Sequence, residues 1–297
     1  MSTKIGFIGQ GWIGKHYADD FENRGYDTVR YGLEAPYTEN KDQIKDCDVV
    51  FIAVPTPTTP EGFDDSVVRS VLALVGTGKT AIIKSTIVPG TTESLQAAYP
   101  DIIVMHSPEF LREASAAHDA AHPDRNIVGI SDERAHQEAA EFVMRILPYA
   151  PYTAIIPARD AEFVKYAGNG FLYMKVLFMN ILYDLVEQNG GDYQKVREAM
   201  INDPRIGESH TMPVHASGHD DVGHKDSKRG AGGHCFIKDF EALRELFKNN
   251  EDDFGDAFLT ASATYNNALL SKTNKDTDLL KGVYGSEYVS ELKKKLT

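Results

Sequence analysis

The chain has 297 residues, 42% of them hydrophobic, which is enough to bury two cores, so two packed domains are expected rather than one. Its formal net charge of -13 argues against nucleic acid and anionic membranes as partners, because a phosphate-binding surface would first have to overcome that field. The two cysteines, Cys47 and Cys235, form no disulfide framework, no leader-like segment precedes the first strand and no apolar run is long enough to span a bilayer, so a reducing, cytoplasmic setting is expected.

In chain order, Ile5–Ile8, Val49–Val54, Ala81–Lys84, Ile102–Met105 and Asn126–Ile130 read as short β-branched strands separated by helix-length segments. That rhythm predicts a Rossmann-type, doubly wound parallel sheet over residues 1–157, with helices on both faces. A long helical stretch, 160–188, opens a second, all-α domain over residues 158–297. Between Phe171 and Val186 it is apolar nearly all round, so it is either a dimer contact or a helix buried within the chain. Periodicity lapses between Asp203 and His234 in a long connection of the kind that is usually functional. Helices return over Phe236–Lys248 and Asp256–Leu270, and the lysine-rich end at 291–295 reads as a fraying, solvated tail.

The first strand runs into Gly9-Gln10-Gly11-Trp12-Ile13-Gly14 and then a helix. Glycines there permit the tight turn and let backbone amides meet a pyrophosphate at the helix N-terminus, so these six residues are the expected dinucleotide site. The acid that usually reads the ribose hydroxyls is replaced by Gly32; Glu34 is one substitute, and Arg30 would suit a 2′-phosphate. NAD is the expected cofactor.

Five motifs extend the argument. They are Phe51-Ile52-Ala53-Val54-Pro55-Thr56-Pro57; Lys84-Ser85-Thr86-Ile87-Val88-Pro89-Gly90; Ser107-Pro108-Glu109-Phe110-Leu111-Arg112-Glu113; Glu162-Phe163-Val164-Lys165-Tyr166-Ala167-Gly168-Asn169; and Gly230-Ala231-Gly232-Gly233-His234-Cys235-Phe236-Ile237-Lys238-Asp239. In this order they resemble the UDP-glucose/GDP-mannose 6-dehydrogenases, which oxidise a nucleotide-sugar primary alcohol to the uronic acid with NAD. The family continues into a third domain that grips the nucleotide, so the resemblance implies an unusually short member, with the nucleotide and sugar open and a UDP-sugar favoured.

A thiol suits such a reaction, since it holds the midway aldehyde as a thiohemiacetal and then a thioester. Gly232-Gly233 leaves room around Cys235, and the helix that follows should favour the thiolate. Lys165 and Asn169, four residues apart on a helix, share a face where an ammonium and an amide can cradle an alkoxide. Asp239, one turn beyond Cys235, is placed to orient Lys165 or water. The resemblance implies that Glu109 is a general base, that Thr86 orients water near the nicotinamide, and that Val54, Pro55, Thr56, Glu113 and Lys238 lie on the cofactor side. It implies too that Phe110, Leu111, Arg112 and Gly232 line the sugar and that Arg205 reaches substrate across a homodimer.

Lys225, Lys228 and Arg229 form a basic cluster that reads either as a diphosphate grip or as a solvated loop. The histidines 210, 215, 219 and 224, with Asp220 and Asp221, have spacings that match no recognised zinc frame, and no metal is expected. Two other functions fit the same fold: oxidation of a small hydroxy acid, which needs the Lys/Asn pair and no cysteine, and a non-catalytic, NAD-binding partner of a longer enzyme.

Overall fold

The computed structural model describes residues 3–112, 114–217, 226–248 and 250–296. The chain divides into two compact units. One takes in the chain up to Thr56 together with Asp64–Lys165, and the other Pro57–Phe63 together with the chain from Tyr166 on.

The first unit begins β1 (Lys4–Ile8), α1 (Trp12–Asn23) and β2 (Asp27–Tyr31), then passes through a 3-10 segment at Tyr37–Asp46 into β3 (Val49–Ile52). A short hairpin, β4 (Thr58–Thr59) and β5 (Gly62–Phe63), leaves for the second unit. The chain continues as α2 (Ser66–Leu72), β6 (Thr80–Ile83), α3 (Thr91–Ala98), β7 (Ile103–His106), α4 (Ala116–Ala121), β8 (Arg125–Ile130), α5 (Glu133–Ile146) and β9 (Tyr152–Pro157). Among the described residues the main sheet has seven strands in the order β2-β1-β3-β6-β7-β8-β9. Val49, Val50, Phe51 and Ile52 are all buried, as a strand covered by helices on both faces demands. Phe7, Phe21 and Phe51 meet in the core with ring centroids 5.2 to 5.3 Å apart.

The doubly wound sheet is present, with two departures from the sequence expectation. One is the extra edge strand β9, whose Tyr-Thr-Ala-Ile-Ile run has no alternation and lies between Pro151 and Pro157. The other is β8, which runs antiparallel to β7, pairing Met105 with Ile130 and His106 with Gly129. Its connection is a loop and the short α4 rather than a helix that crosses the length of the sheet, so the chain re-enters from the same end.

The second unit is built on α6 (Ala158–Gln188), followed by α7 (Tyr193–Ile201), a hairpin of β10 (Val214–Ser217) with β11 (Asp226–Arg229), and then α8 (Gly233–Phe247), α9 (Asp253–Thr273), α10 (Thr277–Tyr284) and α11 (Ser286–Leu296). The hairpin occupies the connection expected to lack structure; four residues of Val-His-Ala-Ser and the wholly polar Asp-Ser-Lys-Arg are too short a pattern to announce a strand. The C-terminal stretch is likewise a helix anchored by buried Val289, not a frayed tail. Tyr173, Val176 and Leu177 of α6 pack with Phe236 and Phe240 of α8 and Ala263 of α9, and Tyr173 stacks on Phe240 at 3.9 Å. The other side of α6 is uncovered: Phe171 is 69%, Phe178 57%, Ile181 53% and Leu185 58% exposed. No described helix is long and apolar enough to cross a membrane.

Candidate active site

The turn after β1 is one that only glycine can make. Gly9 has φ +92°, and a Cβ there would lie 2.2 Å from the carbonyl oxygen of Ala53; a Cβ on Gly14 would lie 1.9 Å from that of Gly9. A Cβ on Gly11 meets nothing within 4 Å, so the space beside it is open. Gly11 caps α1 without any side-chain hydrogen bond, so the N-terminus of the helix, the positive end of its dipole, stands beside that open space. Open space beside a helix N-terminus is what a dinucleotide pyrophosphate requires. Arg30 does not face such a ligand alone: its guanidinium pairs with Asp19 and lies 2.9 Å from Glu22.

The ends of β3 and β6 are stitched together by hydroxyls. Ser85 accepts from the Val54 amide at 2.9 Å and donates to its carbonyl at 2.7 Å, and Thr56 donates to the Thr86 carbonyl at 2.7 Å. Thr56 and Thr86 are both buried, with Pro55 exposed between the stitches.

Glu109 and Lys165 form a buried ion pair at 2.6 Å, and the same ammonium donates to the Glu109 carbonyl at 2.9 Å. Burial pushes the Glu109 carboxyl up, but the Lys165 charge and hydrogen bond, with the Leu111 amide, outweigh it and hold the group below its usual range. Glu162, one turn before, accepts from the amides of Gly90 at 2.5 Å and Thr92 at 2.8 Å, fixing α6 to the start of α3. Phe110 lies under the guanidinium of Arg125 at 3.8 Å, and Leu111 packs on the sheet core. Arg112 closes on Asp119 through two side-chain bonds of 2.9 and 2.6 Å. These three line a cavity of about 310 Å³ whose inner wall includes Lys84 and Tyr17. Glu113 lies outside the described residues.

Lys84 carried no role in the sequence reading. It is buried, donates to the Ser107 hydroxyl at 3.1 Å and sits 4.4 Å from the Tyr17 ring centroid. Burial pushes its ammonium down to about 7, against the attraction of Glu109. The only sequence signal was its place beside Ser85 and Thr86.

In the second unit Cys235 is exposed on the first turn of α8, which begins three residues earlier than expected, at Gly233. Three residues that sequence reasoning did not single out hold the preceding glycine loop. Asn266 exchanges hydrogen bonds with the Ala231 amide and carbonyl at 2.8 and 2.9 Å; the buried Lys275 donates to the Gly230 and Lys228 carbonyls at 2.9 and 3.1 Å; and Asp276 accepts from the Gly233 amide at 2.7 Å. Gly232 is the buried cap of α8. One turn past Cys235, buried Asp239 accepts from the Asn169 amide at 2.6 Å and from Lys238 at 2.5 Å. Asp239 therefore orients Asn169, while Glu109 bonds Lys165.

Arg205 is 88% exposed and its fork closes on Asp203 at 2.6 Å. Arg229 is committed to Asp184, through bonds of 2.9 and 2.8 Å, and to Asn180, so it braces the hairpin to α6. Lys225, His219, Asp220, Asp221 and His224 lie outside the described residues.

Two sequence models match the chain. Residues 30–147 match the NAD binding domain of the UDP-glucose/GDP-mannose dehydrogenase family, and residues 159–268 match its central domain. A UDP-glucose 6-dehydrogenase of Bacillus subtilis is 30% identical over 268 residues, 86% of this chain and 56% of that protein. Another, of Pseudomonas aeruginosa, is 33% identical over 232 residues, 73% of this chain and 48% of that protein. The chain thus spans about half the length of these curated relatives. Among solved structures, a UDP-glucose dehydrogenase from Pyrobaculum islandicum superposes with a TM-score of 0.75 at 24% identity, covering 99% of this chain and 80% of that one, a likeness of fold. With both domain models matched in order, over residues 30–147 and 159–268, the second across the Cys235 loop, the chain belongs to the UDP-glucose/GDP-mannose dehydrogenase family.

Proposed function

We propose that the protein oxidises the primary alcohol of a UDP-sugar to the uronic acid with NAD, through a covalent intermediate on Cys235. The observation that carries this reading is an exposed thiol on the first turn of α8, behind a glycine loop held at three points and one turn before the Asn169–Asp239 pair.

Bound NAD supplies the hydride acceptor for each of two oxidations. The alcohol loses a proton and a hydride and becomes an aldehyde. The Cys235 sulfur adds to the carbonyl carbon while the carbonyl oxygen gains a proton, giving a thiohemiacetal. Loss of a second proton and hydride leaves a thioester, and water then displaces the thiol to release the acid. Lys165 and Asn169, one turn apart on α6, donate to the oxygen as it gains charge. Asp239 fixes the Asn169 amide so that its donor is presented without reorganisation. Glu109, kept ionised by Lys165, accepts a proton from the hydrolytic water. The test is NADH formed per UDP-glucose consumed: two are expected, and Cys235→Ser should fail to complete both oxidations. One NADH per sugar, or full activity in the serine variant, contradicts the proposal.

The exposed stripe Phe171, Phe178, Ile181 and Leu185 recurs at helical spacing on α6, and we propose that a second copy of the chain covers it. Such a homodimer gives Arg205 a partner site to reach. Both cysteines are free thiols, which supports a reducing, cytoplasmic setting. Sedimentation should show a dimer that Phe178→Glu dissociates; a monomer at micromolar concentration contradicts it.

A further inference from the structure

We infer that the side-chain amide of Gln10 reads the adenosine ribose of the bound dinucleotide in place of a carboxylate after β2, and that the site consequently takes NADP nearly as well as NAD. Dinucleotide folds place an acid at the end of the second strand, where it accepts from the ribose 2′-hydroxyl and repels a 2′-phosphate. Here β2 ends at Tyr31 and the next residue is the buried Gly32.

Gln10 borders that position. A Cβ on Gly32 would lie 3.2 Å from Cγ and 3.3 Å from Cβ of Gln10, so the glutamine packs tightly against the position where the acid usually stands. Its amide is poorly bound within the protein. Nε2 makes two long contacts, to the Gly9 carbonyl at 3.2 Å and the Phe7 carbonyl at 3.4 Å, and Oε1 is buried with no hydrogen-bond partner. An orphaned buried acceptor is costly, and a ligand hydroxyl relieves it.

Oε1 is shielded as the side chain stands, but the side chain as a whole is only half-buried, so rotation of the amide is what offers either atom to a ribose. Oε1 accepts from the 2′-hydroxyl of NAD; with the amide turned over, Nε2 donates to the 2′-phosphate of NADP. A neutral amide repels neither. The nearby charges do not restore the usual discrimination: Arg30 is taken by Asp19 and Glu22, and Glu34 is exposed two residues beyond Gly32.

The inference rests on the dinucleotide site alone, and its test needs no turnover. Trp12, the single tryptophan, stands in the same turn, so its fluorescence reports binding of NAD and of NADP directly. The unaltered protein should bind the two with dissociation constants within about 10-fold of each other. Gln10→Ala should weaken NAD by about 5-fold, one neutral hydrogen bond. Gln10→Glu should hold NAD within about 3-fold and weaken NADP by ~100-fold, because a carboxylate then faces the phosphate. Strong discrimination against NADP in the unaltered protein, or NAD binding indifferent to Gln10→Ala, overturns the inference. Binding of neither dinucleotide overturns it together with the site, whereas tight binding without sugar oxidation overturns only the proposed reaction.

Discussion

The two cysteines of this chain stand in opposite surroundings, one in each unit. Cys47 is fully buried beside Gly6, whose Cβ, were there one, would touch its sulfur at 3.2 Å; burial pushes the thiol up to about 11, against the pull of Lys4. Cys235 is exposed at the start of a helix, on a loop pinned by Asn266, Lys275 and Asp276. The same functional group is packing material in one unit and, in the proposed reaction, the nucleophile in the other. What separates them is access to solvent and position on the backbone, since both are free thiols.

That contrast can be broken by chemistry. With iodoacetamide at neutral pH, Cys235 should alkylate ~1,000-fold faster than Cys47, because the raised pKa and burial both suppress the Cys47 thiolate. Peptide mass spectrometry over time reads the two rates, and comparable labelling in the native state would remove the distinction.

A second pair sharpens it on the side of charge. Glu109 and Lys165 are both buried, so Lys165→Met should cost about 3 kcal/mol by leaving a carboxylate unpaired, while Glu109→Gln with Lys165→Met should recover most of the loss. Chemical denaturation of the three proteins measures this; equal stability of the single and double variants would contradict the pair's burial. The sign of the Glu109 contribution follows its depressed pKa: it is fully present above the unfolded value of about 4.3 and is lost as pH falls through the folded value.

The smallest effect belongs to Lys84. Its ammonium titrates at about 7, far below the ~10.4 of an unfolded lysine, so the unfolded chain holds more protons between those values and stability rises with pH across that window. Between pH 7 and 9 the gain should be about 2 kcal/mol, and Lys84→Met should flatten it. A slope that survives the substitution would assign it to another group.

The glycine turn, the Cys235 loop and the doubly wound sheet were legible because each is written in neighbouring residues: a turn that only glycine can make, a thiol ahead of an amphipathic helix, strands with β-branched runs. The clamp on the Cys235 loop was not, because Asn266, Lys275 and Asp276 lie over 30 residues downstream and look like ordinary polar positions on a helix and its end. Lys84 was unreadable for a related cause: a lysine after a strand is normally solvated, and only the packing of Tyr17 and Ser107 around it shows otherwise. The antiparallel entry of β8 depends on how far α4 carries the chain, which no local pattern encodes. The pairing of Asp239 with Asn169 emerged only from the packing of α8 on α6.

The most direct test of the central claim is to mix the protein with NAD and UDP-glucose, quench with acid within the first turnovers, and weigh the peptide that contains Cys235. The account predicts a sugar-nucleotide adduct on that peptide, cleaved by hydroxylamine as a thioester is and absent in Cys235→Ser. Turnover to the uronic acid with an unmodified Cys235 peptide at every time point would contradict it.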